Sequence, residues 1–260
     1  MRVRRAFAVV VLLCACGRVT SERGPNAVAR ATASTGKAER GCDVGMVRLE
    51  GFCIDRFEAY VVAIDGAERE REHSPFDKVG NLRVRAKSAA KHVPQGYISQ
   101  IQAKGACTEA GKRLCSKTEF LRACRGKDGQ RTYPYDGPKK RAGMCNEGRG
   151  STAARVFGFD TSKWTLENLN DPRLNQLSAT LAASGEYVGC QTEEGVFDLV
   201  GNLHEWGDDA ADGYGRGRFR GGFYGDAEAN GPGCLYETSA HELTYHDYST
   251  GFRCCKDALR

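Results

Sequence analysis

Ten cysteines follow the N-terminal apolar segment of this 260-residue chain: Cys42, Cys53, Cys107, Cys115, Cys124, Cys145, Cys190, Cys234, Cys254 and Cys255. An even set in an exported chain reads as a disulfide framework. No CxxC pair occurs and no Cys and His stand at zinc-finger spacing, so a thiolate metal cluster is not expected. Counting leaves the connectivity open, with one exception. Cys42 and Cys53 flank the alternating stretch Met46-Val47-Arg48-Leu49-Glu50-Gly51-Phe52, a short hairpin they can close.

Harder donors stand elsewhere. Between Asp198 and Glu205, two carboxylates enclose a glycine-bearing turn whose carbonyls add the oxygen ligands that Ca²⁺ takes. His241-Glu242 with His246 imitates a zinc-protease motif, but the second histidine comes one residue too late to share a helical face. His241, His246 and Asp247 can instead form a facial triad for iron. His204-Glu205 reads as a polar pair in a loop. There is no G-x-S-x-G and no P-loop, and Gly213-Tyr214-Gly215-Arg216-Gly217 lacks the strand-and-helix context of a dinucleotide site.

Few regular elements are available to position these groups. Ser99 opens an amphipathic helix with Ile101, Ala103 and Cys107 facing inward and Gly111 past its end. Ser116-Lys117-Thr118-Glu119 is a capping box for a second helix carrying Phe120, Leu121 and Cys124 on one face. Beyond Gly126 the chain is rich in turns and glycine, which argues for an α+β domain with two main helices, small sheets and much loop.

Ahead of this domain, Met1-Arg2-Val3-Arg4-Arg5 and the apolar run Ala6 to Ala15 read as an export signal, too short to span a bilayer. The run ends in Leu13-Cys14-Ala15-Cys16, similar to a bacterial lipobox with Cys16 as the lipidated residue, and Gly17 in place of Asp favours the outer membrane. Residues 17–41 lack Leu, Ile and Phe, so they cannot bury a core. As coil they would reach roughly 25 to 30 Å. The expected organisation is a leader over 1–15, a tether over 16–41 and a folded domain over 42–260. The formal charge of +5 includes Arg2, Arg4 and Arg5 of the leader, and the weak balance that remains gives no support for a nucleic-acid partner. The membrane, through the lipid, is the expected partner.

Five strings, in order, carry a family resemblance. Ala110-Gly111-Lys112-Arg113-Leu114-Cys115-Ser116, with Glu119-Phe120 and Ala123-Cys124-Arg125-Gly126, resembles the "AGKRLPTEAEWE.A.RG" motif of the formylglycine-generating, or sulfatase-modifying factor, family. Tyr133-Pro134-Tyr135 resembles its "YPWG", and the run from Gly195 to Trp206 is similar to "GLYDMVGNVWEW". Arg220-Gly221-Gly222 matches "RGGS", and Gly251-Phe252-Arg253-Cys254 the closing "GFRC". The resemblance implies a compact, disulfide-rich fold related to C-type lectins. Members include copper oxidases that convert a substrate cysteine to formylglycine, iron-dependent relatives, and exported proteins of unknown activity.

The resemblance implies the bridges Cys107–Cys254 and Cys124–Cys234; pairing the remainder gives Cys115–Cys255 and Cys145–Cys190. It assigns the calcium ligands to the Asp198 and Glu205 side chains and the Gly201 and Leu203 carbonyls, with a second site beginning at Asn146 and the Glu147 carbonyl. The segment with His241, Tyr245, His246, Asp247 and Tyr248 falls where the family builds its pocket and is the expected ligand-facing segment. The copper enzymes place two cysteines five residues apart after "RGG". Asp226 and Gly231 stand at those positions here, and Phe223 replaces the motif's serine. Copper is therefore not expected, because a hard carboxylate does not replace two soft thiolates. Two functions stay open: a non-catalytic module binding a peptide, glycan or protein, and an oxidoreductase acting on a peptide or small thiol.

Overall fold

A computed structural model describes residue 39 and residues 41–259, apart from 136, 138, 211–214 and 240. The expected leader, Cys16 and the segment 17–38 of the expected tether lie outside the described residues. The longest helices are the two read from the capping motifs. α1 (Gln100–Glu109) is capped by Ser99, whose side chain accepts from the Gln102 amide while Gln102 reaches back to the Ser99 amide. α2 (Lys117–Arg125) repeats the reciprocal pair with Ser116 and Glu119. These pairs satisfy amide donors that helix geometry leaves without partners. Gly111 follows the end of α1 at φ +68°, a conformation that costs glycine little. The inward face of α1 is Ala103, Ala106 and Cys107; Ile101, expected among them, is 53% exposed. Small residues on that face let the helix lie close to the strand Val84–Ser88, which a larger Ile101 side chain would hold off.

Among the described residues, three small sheets carry the rest. β1 (Met46–Arg48), β2 (Phe52–Asp55), β6 (Arg113–Leu114) and β11 (Cys254–Asp257) form one in the order β1-β2-β11-β6, all antiparallel. β3 (Ala59–Ile64), β4 (Glu70–Glu72) and β5 (Val84–Ser88) form the second, β4-β3-β5. The third is β10-β7-β8-β9, from β7 (His204–Ala210), β8 (Gly217–Arg220), β9 (Glu237–Thr238) and β10 (Thr250–Phe252), with β10 parallel to β7. Two short helices, α3 (Thr152–Phe157) and α4 (Leu166–Leu169), sit in the long loop stretch between α2 and β7. The fold is α+β with much loop.

Five bridges staple these elements: Cys42–Cys53, Cys107–Cys254, Cys115–Cys255, Cys124–Cys234 and Cys145–Cys190. These are the same partners as in the expected set. Adjacent Cys254 and Cys255 project from opposite faces of β11, so one strand ties down both α1 and Cys115, the residue before the α2 cap Ser116. The largest cluster packs Phe120, Cys124, Leu199 and Val200 around the Cys145–Cys190 bridge; a second packs α1 against Trp206, Phe219 and Phe252. Arg220 and Arg253, both 1% exposed, stand among the large buried side chains. The partners of Arg253 define the site.

Candidate ligand and metal site

The turn between Asp198 and Glu205 is built on left-handed backbone at Asp198 (φ +59°), Gly201 (φ +79°) and Asn202 (φ +57°). Asp and Asn tolerate that region better than other side chains. Only glycine fits at 201, because a Cβ there would lie 2.3 Å from the Asn146 carbonyl oxygen. The Asn202 amide donates to that same oxygen at 2.9 Å. Asn146, expected to begin a second metal site, takes part in this join. Its Nδ2 donates to the Thr180 carbonyl (2.8 Å) and Asn202 Oδ1 (2.9 Å), and its Oδ1 accepts from Arg149 Nε (3.1 Å).

Strand alternation sends His204 and Glu205, the first residues of β7, to opposite faces, so they are a strand pair and not the loop pair that was expected. Both Glu205 oxygens accept from Arg253, at 2.7 Å from Nε and 2.6 Å from Nη2. Arg253 also donates to the carbonyls of Asp55 (3.1 Å) and Phe197 (2.8 Å). Asp198 Oδ2 accepts from the Gly185 amide at 2.7 Å. A third acid, Glu58, completes the cluster. Its Oε1 accepts from the Leu203 amide at 3.0 Å and its Oε2 from Asn202 Nδ2. Sequence reasoning missed Glu58, which precedes β3 in a stretch without any motif; no local signal marks it.

These acids are almost completely buried. Burial pushes Glu58 well above the carboxylate range, helped by the charges of Asp198 and Glu205. It pushes Asp198 up to about 7, against the opposing pull of the Gly185 amide and Arg253. Glu205 is raised by burial as well, with Arg253 pulling the other way. When ionised, three carboxylates face one guanidinium, an excess of negative charge that a hard dication suits in sign and donor chemistry. Glu205 would have to share its oxygens with Arg253.

On the other face of β7 lies the expected ligand-facing segment. His241, half-buried, stacks on Tyr245 at 3.8 Å between ring centroids and on Phe219 at 5.5 Å. Tyr248 is buried against Phe223 and Tyr224. His246 Nδ1 is hydrogen-bonded to Asn170 Oδ1 at 2.6 Å. Asp247, 5% exposed, accepts from the Tyr245 hydroxyl (2.6 Å) and from the amide and hydroxyl of Ser249 (2.8 and 2.7 Å). Each member of the supposed iron triad thus points to its own partner. Among the described residues no three His, Cys, Asp or Glu side chains come together as a metal site.

A one-way hydrogen-bond chain runs behind this wall. Asp247 only accepts, so Ser249 Oγ donates to it and accepts from His204 Nδ1 at 3.1 Å. That leaves His204 Nε2 to accept from the Tyr236 hydroxyl at 3.3 Å, whose oxygen accepts a hydrogen bond from Asn230 Nδ2 at 3.0 Å. The imidazole is neutral: burial, helped by His241, pushes it down to about 3.

Residues 33–258 match the family described as "Sulfatase-modifying factor enzyme 1-like domain". The chain belongs to this family. No curated protein matches it. Among solved structures it is similar to the Major Tropism Determinant U1 variant, at 14% identity and TM-score 0.44 over 83% of this chain and 53% of that one. The I1 variant gives 13% identity and TM-score 0.45 over 86% and 61%. CarF gives 18% and 0.36 over 78% and 59%. The chain spans about half to three-fifths of the length of these proteins.

In this sulfatase-modifying-factor domain, Asp226 and Gly231 build a tight loop. The Phe223 amide donates to the Asp226 carbonyl at 2.8 Å, and the Asp226 carboxylate accepts from the Glu228 (3.0 Å) and Ala229 (3.2 Å) amides. The Gly231 amide donates to the Glu228 carbonyl at 3.1 Å. Cys234, the nearest sulfur in sequence, is bridged to Cys124.

Proposed function

We propose that this chain is an exported protein, held at the outer membrane by a lipid on Cys16, whose sulfatase-modifying-factor domain binds a peptide, glycan or protein ligand without oxidising it. The observation that carries this reading is the state of the sulfur: every cysteine from Cys42 to Cys255 is consumed in a bridge. Copper-thiolate oxidation needs soft sulfur ligands, and Asp226 and Gly231 supply none. Supporting a binding role, His241, Tyr245 and His246 keep partial exposure on a wall of stacked rings. The membrane enters through residues 1–16; among the described residues no helix is long and apolar enough to cross a bilayer.

Calcium belongs to the same proposal. Asp198 and Glu205, with the Gly201 and Leu203 carbonyls, would hold the ion, and the excess of buried acid over Arg253 favours it. Bound there, calcium would supply charge balance and fix the turn from Asp198 to Glu205.

The decisive experiment incubates copper-loaded protein and oxygen with a Cys-x-Pro-x-Arg peptide and follows the cysteine-to-aldehyde change by mass spectrometry. The expected result is unchanged peptide. Turnover that disappears in Cys234→Ser would establish the oxidoreductase instead. Calorimetry on chelator-stripped protein is expected to show calcium binding that Asp198→Asn abolishes, and Cys16→Ala is expected to release the protein from the membrane fraction.

A further inference from the structure

A cleft of about 650 Å³ opens beside the Cys145–Cys190 bridge and shares no residue with the segment from His241 to Tyr248. Its floor comes from Met144 and Gly189, the residues immediately before the two bridged cysteines. A Cβ on Gly189 would lie 2.6 Å from Met144 Cε and 2.9 Å from Sδ, so the bare glycine is what lets the thioether lie there. Tyr135 backs the cleft from within the core: it is 4% exposed, with Tyr133 stacked on its ring at 5.4 Å and the Arg141 guanidinium 4.6 Å from its centroid. Methionine adapts its shape to whatever packs on it.

The charge at the rim is arranged unevenly. Arg131 is 23% exposed and lies against the Gly126 backbone, whereas its partner Glu193 is 79% exposed, joined to it through Nη2 and Oε2 at 2.7 Å. An ion pair with so exposed a carboxylate contributes little, because water solvates the acid nearly as well as the guanidinium does. A carboxylate arriving from outside can therefore take the place of Glu193 at small cost. It would find Arg131 already held in position.

We propose that this cleft binds an acidic peptide segment, with a carboxylate side chain replacing Glu193 on Arg131 and a neighbouring apolar side chain packing on Met144. In an extended peptide, residues two apart share a face, which matches an acid flanked at that spacing by leucines. The inference rests on the proposed binding role but not on the fate of copper. An oxidase that also bound such a peptide here would leave it standing, and an inert protein that failed to bind would sink it alone.

The chain carries three methionines, Met1, Met46 and Met144, so ¹³C-methyl methionine labelling gives a reporter inside the cleft. Met46, 2% exposed beside Cys42 and Cys53, is the internal control. The full oxidised chain is titrated with acetyl-Leu-Ser-Glu-Ser-Leu-amide and with its Glu-to-Lys counterpart. The acidic peptide is expected to shift the Met144 resonance saturably while Met46 stays still and the lysine peptide does nothing. Glu193→Ala, which removes the internal competitor, should tighten binding by up to about fivefold. Arg131→Gln should weaken it about tenfold or more. An unmoved Met144 signal at millimolar peptide, an equal response to the lysine peptide, weaker binding in Glu193→Ala, or a Met144 shift produced only by an oligosaccharide would each overturn the proposal.

Discussion

Replacing Arg253 with Met should be among the costliest single changes in this protein, and the cost should depend on pH. The guanidinium is 1% exposed and makes two charge-assisted bonds to Glu205 and two bonds to main-chain carbonyls. Removing one partner of a buried pair typically costs about 3–5 kcal/mol, because the surviving charge stays buried without compensation. Here the loss is compounded, since Glu58 and Asp198 feel the same guanidinium. Without Arg253 the folded-state pKa of Glu205, already raised by burial, must climb further. A carboxyl whose folded pKa lies above its unfolded value contributes stability in acid that is lost as pH rises between the two. The deficit of Arg253→Met relative to wild type should therefore grow between pH 5 and pH 8, by at most about 1.4 kcal/mol per pH unit for each affected group. Urea unfolding of oxidised protein in chelator, at both pH values, measures it. Arg253→Met with Glu205→Gln should recover most of the loss at pH 8. A deficit under about 1 kcal/mol at pH 8, or one that is the same at both pH values, would refute the charge argument.

Three further outcomes are expected. Asp198→Asn removes an acid held at about 7 by burial, so in calcium-free buffer at pH 8 the variant should be more stable than wild type, by up to about 3–4 kcal/mol; urea unfolding showing a loss would contradict this. His204 has the opposite sign: its folded pKa of about 3 lies below the ordinary histidine value, so wild type should lose stability as pH falls from about 6.5 toward 3, and His204→Phe should flatten that limb in a pH series of unfolding curves. Removing the Cys107–Cys254 bridge, which spans 147 residues, should cost about 2 kcal/mol more than removing Cys42–Cys53, which spans 11, in the chain-entropy account; equal thermal or denaturant shifts for the two double serine variants would point to strain or residual denatured-state structure instead.

Much of this molecule is written in short-range sequence. Ser99 and Ser116 announce α1 and α2 because a capping side chain and the glutamine or glutamate three residues on satisfy backbone donors within one turn. The alternation around Met46 and Phe52 announces the first hairpin, and the ordered motifs from Ala110 to Cys254 announce the family. The site was only half legible. Asp198 and Glu205 are visible as a pair, but their partners come from distant stretches: Glu58 lies about 140 residues away from Asp198, and Arg253 lies 48 residues beyond Glu205. Whether a buried acid meets a cation, an amide or another acid depends on which strands become neighbours. The two-residue period of β7 fixes only that His204 and Glu205 face opposite ways. Tertiary structure decides that one meets an aromatic wall and the other Arg253, and that Asn146 closes a turn with its side-chain polar atoms already engaged by protein partners. The same holds for the cleft at Arg131, where Met144 and Gly189 meet beside the Cys145–Cys190 bridge.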